Sequence, residues 1–323
     1  MNIVITGGSG FVGSYLCEKL INDGHEIIVI DNLLTGSTEN IKNLMDNENF
    51  SFVEHDVQDH IEIENKVDYV LHFASAASPK AYTEHPVNTL KAGSVGTINT
   101  LGLAKKHNAE YLLASTSEVY GDPLISPQTE EYWGNVNPNG ERSMYDEAKR
   151  FAEAAVATYS RSYDLKTKIV RIFNTYGPRM QLNDGRVVTN FITQALRNEN
   201  ITIYGDGSQT RSFCYRDDLV DGIIKMMNGP DDFIGPVNLG NPHEFTILQL
   251  AELIIKLTDS KSKIIRKSLP KDDPVRRRPD ITLAKQNLSW EPTVLLKEGL
   301  MKTIEWFRSI NLDDFRAPTP NYG

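Results

Sequence analysis

Near its amino terminus the chain reads Thr6-Gly-Gly-Ser-Gly-Phe-Val-Gly13. This glycine-rich turn follows a β-branched run, Asn2 to Thr6, and opens an amphipathic pattern of about a dozen residues. Glycines allow the backbone to turn tightly and to approach a pyrophosphate, and the amino terminus of a helix supplies amide donors and a favourable dipole. The pattern predicts a dinucleotide site with contacts from Gly7, Gly10, Phe11, Val12 and Gly13.

Further buried strands are predicted along the first half of the chain, each separated from the next by a helical or turn-rich stretch. They are Glu26 to Ile30, Phe50 to Val53, Tyr69 to Phe73, Tyr111 to Ala114 and Lys168 to Ile172. Long helices are predicted at Pro86 to Lys106 and at Met144 to Tyr163. This alternation is typical of an α/β protein with a doubly wound parallel sheet, the Rossmann fold.

The composition changes after Phe173, where turn clusters alternate with short helices. We expect residues 1–175 to form a dinucleotide-binding domain and residues 176–323 to form mainly a smaller C-terminal α/β lobe that binds substrate. The chain is expected to return to the first domain at about 215–240, because Asp218 to Met227 is predicted as a helix and Pro236 to Leu239 as a short strand.

Charge and hydropathy argue against two classes of partner. The 34 basic and 43 acidic residues give a net charge of -9. The basic cluster Arg276 to Arg278 is flanked by aspartates on both sides, which indicates a locally neutralised loop rather than a nucleic-acid arm. Apolar runs such as Ile27 to Ile30 are far shorter than the ~20 residues that a membrane span needs. We expect neither a nucleic-acid partner nor a membrane span.

The cellular compartment is predicted from two features. Met1 leads directly into a strand pattern, without the charged lead, apolar core and cleavage site of a secretory signal. Two cysteines, Cys17 and Cys214, are too few and too apolar in their setting for a disulfide scaffold, so buried reduced thiols are expected. Both features favour a cytoplasmic protein.

Residues at the ends of the next strands complete the predicted dinucleotide site. Asp31 ends the second strand and is placed to bind the adenosine ribose, where a carboxylate repels a 2′-phosphate and so favours NAD over NADP. Its alternative role is to cap the following turn. Asp56 can accept from the adenine amino group or can simply form a turn. Asn32, Val57 and Phe73 are the neighbouring cofactor contacts.

A tyrosine and a lysine, Tyr145 and Lys149, lie four residues apart and share one face of the predicted helix. A free phenol titrates near ~10, so a nearby cation must lower its pKa before it can accept a hydroxyl proton at neutral pH. Such pairs are common on surface helices. The pair indicates a catalytic role only together with the dinucleotide fingerprint upstream and with Thr116 at the end of the fifth strand.

These signatures together resemble the extended short-chain dehydrogenase/reductase family. The resemblance implies that Tyr145 is the catalytic base, that Lys149 lowers its pKa and holds the nicotinamide ribose, and that Thr116 hydrogen-bonds a sugar hydroxyl. Within the family, five segments are similar to those of the enzymes that decarboxylate UDP-glucuronate. These segments are Leu113 to Pro123, Arg142 to Arg150, Arg171 to Met180, Asn183 to Val188 and Asp272 to Asp280.

That closer resemblance implies NAD-dependent formation of UDP-xylose through oxidation at C4, loss of carbon dioxide and reduction, with no metal required. It places Ser117 and Glu118 at C5 and C6 of the sugar, and Arg277 on the substrate carboxylate. The alternative for Arg277 is a surface arginine paired with Asp273. The remaining implied substrate ligands are Asn174, Arg186, Tyr204 and Arg211, with Lys91 and Asn99 as weaker candidates that can equally belong to a solvated helix face.

Three alternatives stay open. A nucleotide-sugar 4-epimerase uses the same scaffold but needs no acid after Thr116, and a 4,6-dehydratase needs an acid where this chain has Ser117. A non-catalytic NAD(H)-binding sensor would have no use for a phenolate base. Two long helices on one side of the sheet suggest a homodimer with a four-helix contact, as is common in the family.

Overall fold

Parallel strands with helices on both faces dominate the computed structural model, which describes residues 1–268 and 276–312. The strands are β1 (Asn2–Thr6), β2 (Glu26–Asp31), β3 (Phe50–Glu54), β4 (Tyr69–His72), β5 (Glu110–Thr116), β6 (Thr167–Ile172), β7 (Thr175–Tyr176), β8 (Ile201–Tyr204), β9 (Thr210–Ser212), β10 (Cys214–Tyr215), β11 (Val237–Leu239), β12 (Glu244–Thr246), β13 (Ile264–Lys267) and β14 (Arg276–Arg277). The α-helices are α1 (Phe11–Asn22), α2 (Pro79–Glu84), α3 (Pro86–Lys91), α4 (Thr97–His107), α5 (Ser143–Tyr163), α6 (Val187–Leu196), α7 (Arg216–Met227), α8 (Ile247–Thr258), α9 (Thr282–Leu288) and α10 (Leu296–Ser309).

Seven strands form the central sheet in the order β11-β6-β5-β4-β1-β2-β3, and all neighbouring pairs are parallel. The direction of winding reverses between β1 and β4. In open parallel sheets, ligands bind outside the carboxyl ends of the strands at such a switch point. The sheet is therefore a doubly wound Rossmann-type sheet, as the sequence predicts. It also includes β11, which pairs with β6 at the edge.

The predicted strands of the first 175 residues are all present, and their ends differ from the prediction by at most two residues. The single helix predicted from Pro86 to Lys106 is wrong, because a π-helical turn, Ala92–Gly96, separates α3 from α4. A Cβ on Gly93 would lie 2.7 Å from the Ala148 Cβ of α5, so this turn packs closer to α5 than a larger residue would permit. A π turn widens the helix locally, which sequence periodicity does not indicate.

The second lobe is built on smaller sheets. Strand β9 pairs antiparallel with β12 and parallel with β14, and β8 pairs in parallel with β13. Helices α6, α8 and α10 pack around a separate apolar core that contains Phe191, Ile254 and Phe307. Among the helices of the described residues, none is long and apolar enough to cross a membrane.

The close approach of α1 to β1 depends on the glycines Gly7 and Gly13. Gly7 has φ of +73°, in the left-handed region that favours glycine. A Cβ on Gly13 would lie 2.2 Å from the Gly7 carbonyl oxygen, so α1 reaches β1 only because position 13 has no side chain. This close approach brings the start of α1 to the switch point.

We expect Gly13→Ala to lower the free energy of unfolding by about 1–3 kcal/mol, because the added methyl must displace backbone atoms. The matched control is Gly102→Ala in α4, where the added Cβ meets no atom within 4 Å. That control is expected to be neutral or to stabilise by about 0.5–1 kcal/mol. Urea denaturation of the two variants and the parent measures both values, and equal effects would contradict the close-approach argument.

Candidate active site

One cavity of about 670 Å³ opens between the carboxyl ends of the central sheet and the second lobe. With two exceptions, Lys91 and Asn99, every site residue predicted from the sequence lines it. Those residues are Gly7, Gly10, Phe11, Val12, Gly13, Asp31, Asn32, Asp56, Val57, Phe73, Thr116, Ser117, Glu118, Tyr145, Lys149, Asn174, Arg186, Tyr204, Arg211 and Arg277. The fold therefore brings residues from both halves of the chain to one space.

The two exceptions have other places in the structure. Lys91 is exposed at the end of α3 and lies outside the cavity. The Asn99 side chain donates to the carbonyl oxygens of Val57 and Gln58, at 2.9 and 3.0 Å. It thereby anchors the loop after β3 instead of facing a substrate. A helical pattern shows that such residues share a face, but not which neighbour that face meets.

The amino terminus of α1 forms the first part of the cavity wall. Gly10 precedes the helix with extended backbone and, as a glycine, has no side chain to cap the first amides of α1. Such amides carry partial positive charge and bind anions, above all phosphate groups. Phe11 and Val12, the first residues of the helix, lie beside the cavity. The donors present suit a pyrophosphate.

Asp31 lies at the end of β2, where it caps the following turn and borders the cavity. Its carboxylate accepts from the Leu33 amide at 2.9 Å and from the Ser9 amide at 3.1 Å, so it holds the following turn to the glycine-rich loop. Burial raises its pKa above its usual value, although the hydrogen bonds from Ser9 and Leu33 oppose that rise. The group also borders the cavity, where its remaining lone pairs can accept from ribose hydroxyls.

Asp56 forms the turn after β3 and borders the same end of the cavity. It accepts from the Gln58 amide and from the Asn32 side chain, each at 2.9 Å. The alternative role of turn-former is thus present. Its place beside Asn32 and Val57 still leaves the adenine contact geometrically open.

The redox part of the site consists of Thr116, Tyr145 and Lys149. The Tyr145 ring is buried and stacks on Tyr82, with ring centroids 5.2 Å apart and planes 12° apart. Burial raises the pKa of Tyr145 to about 12, against the lowering effect of a hydrogen bond with Thr116. Lys149 donates to the Ala114 carbonyl at 2.8 Å. Burial lowers the pKa of this lysine to about 8, and Glu153 opposes the shift.

The effect of Lys149 on the pKa of Tyr145 stays a prediction. The lysine ammonium is directed to a backbone carbonyl at the end of β5, and burial dominates the environment of the phenol. Spacing on the helix did place the two side chains in one cavity. The spacing does not predict that the tyrosine is removed from water, because that depends on how α2 and β5 pack over it.

The acidic part of the site is a buried cluster around Glu118. Arg277 donates to the two carboxylate oxygens of Glu118 at 2.6 and 3.2 Å, and Arg142 bonds to the same carboxylate. Arg277 also donates to the Ser117 hydroxyl at 3.1 Å. Burial alone would raise the pKa of Glu118, but Arg277 and Arg142 hold it below its usual value. The carboxylate is therefore ionised at neutral pH.

Arg277 is 2% exposed and lines the cavity, so it is not a surface arginine. Asp273, its alternative partner, lies outside the described residues. Two guanidinium groups against one carboxylate leave the Glu118 cluster with a net positive charge. Such a cluster can receive one more carboxylate.

The four other predicted substrate ligands lie along the second lobe. Arg186 precedes α6 and is paired with Asp184 at 3.3 Å, and Asn174 follows β6. Tyr204 ends β8, and Arg211 lies in the middle of β9. These residues line the part of the cavity formed by the second lobe, and they carry the donors that a nucleotide diphosphate needs.

Tyr82 and Arg142 line the cavity and Asp146 lies buried beside it, and none of these three was assigned a role from the sequence. Tyr82 covers Tyr145, and Arg142 pairs with Glu118. Asp146 is buried beside Tyr145 on α5, and its Oδ1 has no hydrogen-bond partner within the described residues. Arg142 and Asp146 are close to Tyr145 in the sequence, and this proximity could have indicated that they belong near the site. Tyr82 lies in a short helix that carries no motif.

Comparison with known proteins gives the family. The NAD dependent epimerase/dehydratase family matches residues 3–240. The chain therefore belongs to this family. UDP-glucuronic acid decarboxylase 1 of Xenopus tropicalis is 53% identical over 306 residues, which cover 95% of this chain and 72% of that protein.

Solved structures of the same fold include enzymes with nucleotide sugars bound. UDP-glucose 4-epimerase of Thermotoga maritima, solved with UDP-glucose, has a TM-score of 0.88 and 33% identity, covering 96% of this chain and 99% of its own. UDP-glucuronic acid 4-epimerase of Bacillus cereus, in complex with UDP-glucuronic acid and NAD, has a TM-score of 0.85 and 26% identity, covering 96% and 99%.

Asp146 predicts a pH dependence of stability. Burial, followed by the charge of Glu118, raises its pKa from 3.8 to about 7. The folded state thus binds this proton more tightly than the unfolded state does. Its stabilising contribution is complete below about pH 3.8 and is lost as the pH rises towards 7.

We expect Asp146→Asn to remove this loss, so that the variant gains stability relative to the parent between about pH 5 and about pH 8. The gain has an upper limit of about 1.4 kcal/mol per pKa unit. Urea denaturation at the two pH values measures it, with the exposed Asp46→Asn as control. A pH-independent difference between variant and parent would show that Asp146 is not protonated in the folded protein.

Proposed function

We propose that this protein is an NAD-dependent UDP-glucuronate decarboxylase that forms UDP-xylose. The observation that carries the proposal is the position of Glu118 and Arg277 in the same cavity as Thr116, Tyr145 and Lys149. The first pair suits a substrate carboxylate, and the other three suit oxidation of a neighbouring hydroxyl. The Xenopus relative has the corresponding name, at 53% identity.

The cavity fits NAD. The uncapped amides of α1 suit its pyrophosphate, and Asp31 suits the ribose hydroxyls and disfavours a 2′-phosphate. The Bacillus cereus epimerase has the same fold and is solved with NAD. When bound, NAD takes up a hydride from the sugar and later returns it.

The chemistry follows from the substrate. Tyr145, with Lys149 in the same cavity to favour its phenolate form, accepts the proton of the C4 hydroxyl. Thr116 orients that hydroxyl, and a ketone forms β to the C6 carboxylate. Such a ketone can accept the electron pair of the breaking C5–C6 bond, so carbon dioxide leaves without a metal. Protonation at C5 and return of the hydride to C4 then give UDP-xylose.

Glu118 and Arg277 act on the carboxylate end of the sugar. The net positive charge of their cluster with Arg142 receives the substrate carboxylate, and Ser117 supplies a hydroxyl beside it. Because Glu118 is held ionised, it does not store the proton that C5 requires. The proton that C5 requires comes from solvent.

The second lobe holds the nucleotide in this proposal. Arg211 and Arg186 bind the pyrophosphate, while Asn174 and Tyr204 border the remaining UDP. Residues 1–175, with the return segment at about 215–240, form the NAD-binding domain, and residues 176–323 form mainly the substrate lobe. The pairing of β11 with β6 supports this division of the chain.

Purified protein incubated with UDP-glucuronate distinguishes the candidate activities. Release of carbon dioxide with loss of ~44 mass units from the sugar nucleotide supports the decarboxylase, since that is the mass of the departing group. An unchanged mass with inverted C4 would indicate an epimerase, and loss of water would indicate a dehydratase. No turnover would indicate an NAD(H) sensor.

The Tyr145→Phe variant tests the proposed base. The phenyl ring keeps the stacking on Tyr82 but cannot accept a proton, so we expect a decrease in the rate of at least about 100-fold, with NAD retained. Single-turnover formation of NADH measures the step directly. Tyr132→Phe, whose ring stacks on Tyr120, is the control. Oxidation at the parent rate in Tyr145→Phe would exclude Tyr145 as the base.

We also propose a cytoplasmic homodimer. Cys17 and Cys214 are both free and buried, as is typical of a reducing compartment. Helices α3 and α4, joined by the π turn, both pack against α5 on one side of the sheet. They expose an apolar surface that suits a second copy of the chain. Its exposed side chains are Val87, Leu90, Val95, Ile98 and Phe151.

The dimer proposal predicts the effect of charge on this face. Leu90→Glu combined with Val95→Glu is expected to give a monomer, because both side chains would be buried and unpaired in the four-helix contact. Light scattering of the purified protein measures the mass. The control is Leu295→Glu, at a 72% exposed leucine before α10. A parent protein that is already monomeric would refute the proposal.

A further inference from the structure

The strand that carries Arg277 has little support of its own. Strand β14 is two residues long and pairs on one side with β9, where Arg277 lies opposite Arg211. On that side the Ser212 hydroxyl also donates to the Arg277 carbonyl at 3.0 Å. A two-residue pairing does not specify register strongly.

Register is critical here because three arginines follow one another, Arg276, Arg277 and Arg278. Successive residues of a strand point to opposite faces, so a slip by one residue would replace Arg277 with a neighbour of the same type. The structure shows the difference in environment. Arg277 is buried against Glu118, whereas the Arg278 side chain is 42% exposed and lies 3.7 Å from Glu244.

Gln128 binds the other side of this segment. The side-chain Oε1 of Gln128 accepts from the Arg278 backbone amide at 2.9 Å. The backbone amide of Gln128 donates to the Arg278 carbonyl at 2.8 Å. The Asp280 amide donates to the Gln128 carbonyl, also at 2.8 Å. Gln128 is completely buried, and its side-chain nitrogen Nε2 donates to the Ile125 carbonyl at 2.6 Å. Each of its polar groups is therefore used.

The loop that carries Gln128 is itself fixed to the central sheet. Asn238 of β11 donates to the carbonyls of Gln128 and Asp280, each at 3.0 Å. Asn238 also accepts from the Tyr120 hydroxyl at 2.8 Å, and Arg171 of β6 donates to that hydroxyl at 2.9 Å. Through these hydrogen bonds, Gln128 fixes the segment after β14 in position relative to the central sheet.

We propose that Gln128 is a positioning residue that selects Arg277, out of three consecutive arginines, to face Glu118 and the substrate carboxylate. The inference rests on the proposed function, because it assigns a specificity role within the same site. Gln128 acts through Arg277 and is separated from the reacting atoms. Its loss should affect recognition and removal of the carboxylate more than oxidation at C4.

The test compares Gln128→Met with the parent enzyme and UDP-glucuronate as the substrate. Methionine is unbranched and similar in length to glutamine, but it cannot accept strongly from the Arg278 amide. We expect oxidation to NADH and the 4-keto acid to persist, while carbon dioxide release slows on the order of 100-fold, as for a misplaced catalytic group. An equal decrease in both steps, or no decrease, would overturn the proposal.

The matched control is Gln194→Met. Gln194 also accepts from a strand amide, that of Thr202, at 3.1 Å, but it lies in the second lobe away from Arg277. Both steps should run at the parent rate in this variant. Selective loss of carbon dioxide release in Gln194→Met would show that the effect is not specific to the segment after β14.

A double-mutant cycle tests whether Gln128 acts through Arg277. Arg277→Ala and the combined Gln128→Met, Arg277→Ala variant should decarboxylate equally slowly, because the second change has nothing left to position. Additive effects would show that Gln128 acts by another route and would overturn the proposal.

A binding measurement separates failure of this inference from failure of the proposed function. Calorimetry gives the affinities for UDP-glucuronate and UDP-glucose, which differ in the carboxylate. Gln128→Met should reduce the preference for UDP-glucuronate at least about tenfold, which corresponds to about 1.4 kcal/mol. A parent enzyme that releases no carbon dioxide refutes the decarboxylase alone. An unchanged preference refutes the role of Gln128 alone.

Discussion

The ion pair between Glu118 and Arg277 is the interaction on which the site depends. The two residues are 159 positions apart, and their contact joins the end of β5 in the central sheet to β14 in the second lobe. Removing two charges from water is unfavourable by several kcal/mol per ion. Here that desolvation cost is opposed by the forked contact between Arg277 and Glu118 and by the charge of Arg142. The Gly121 carbonyl, which accepts from Arg277 at 3.2 Å, also opposes it. Loss of either partner would leave an uncompensated buried charge.

The same pair joins the redox and acidic parts of the site into one unit. Thr116, Ser117 and Glu118 are consecutive, and the Thr116 hydroxyl accepts from the Glu118 amide at 3.2 Å. A displacement of Glu118 would therefore move the threonine beside Tyr145. The negative charge that remains on Glu118 also contributes to the raised pKa of Asp146. Glu118, just after β5, therefore influences both the position of Thr116 and the pKa of Asp146.

Several residues show how far local sequence patterns reach. The glycine-rich turn and the strands of the first 175 residues are strongly specified, because buried parallel strands are continuous apolar runs and the turn requires glycine. Lys91 and Asn99 show the limit. Both lie in the segment predicted as one helix, but a π turn divides that segment, and Asn99 packs on the loop after β3. Neither residue lines the cavity. The contacts of Asn99 with that loop are between segments that are distant in sequence.

The sequence by itself determined the doubly wound sheet, the dinucleotide fingerprint and the set of residues around Thr116 and Tyr145, because each depends on local backbone requirements and on short-range spacing. Tertiary structure alone decided the ionisation of these groups and the partner of Arg277. Burial raises the pKa of Tyr145, and two arginines lower that of Glu118. The register of β14 follows from Gln128, almost 150 residues earlier in the chain. Desolvation and register arise between distant segments, and no local pattern contains them.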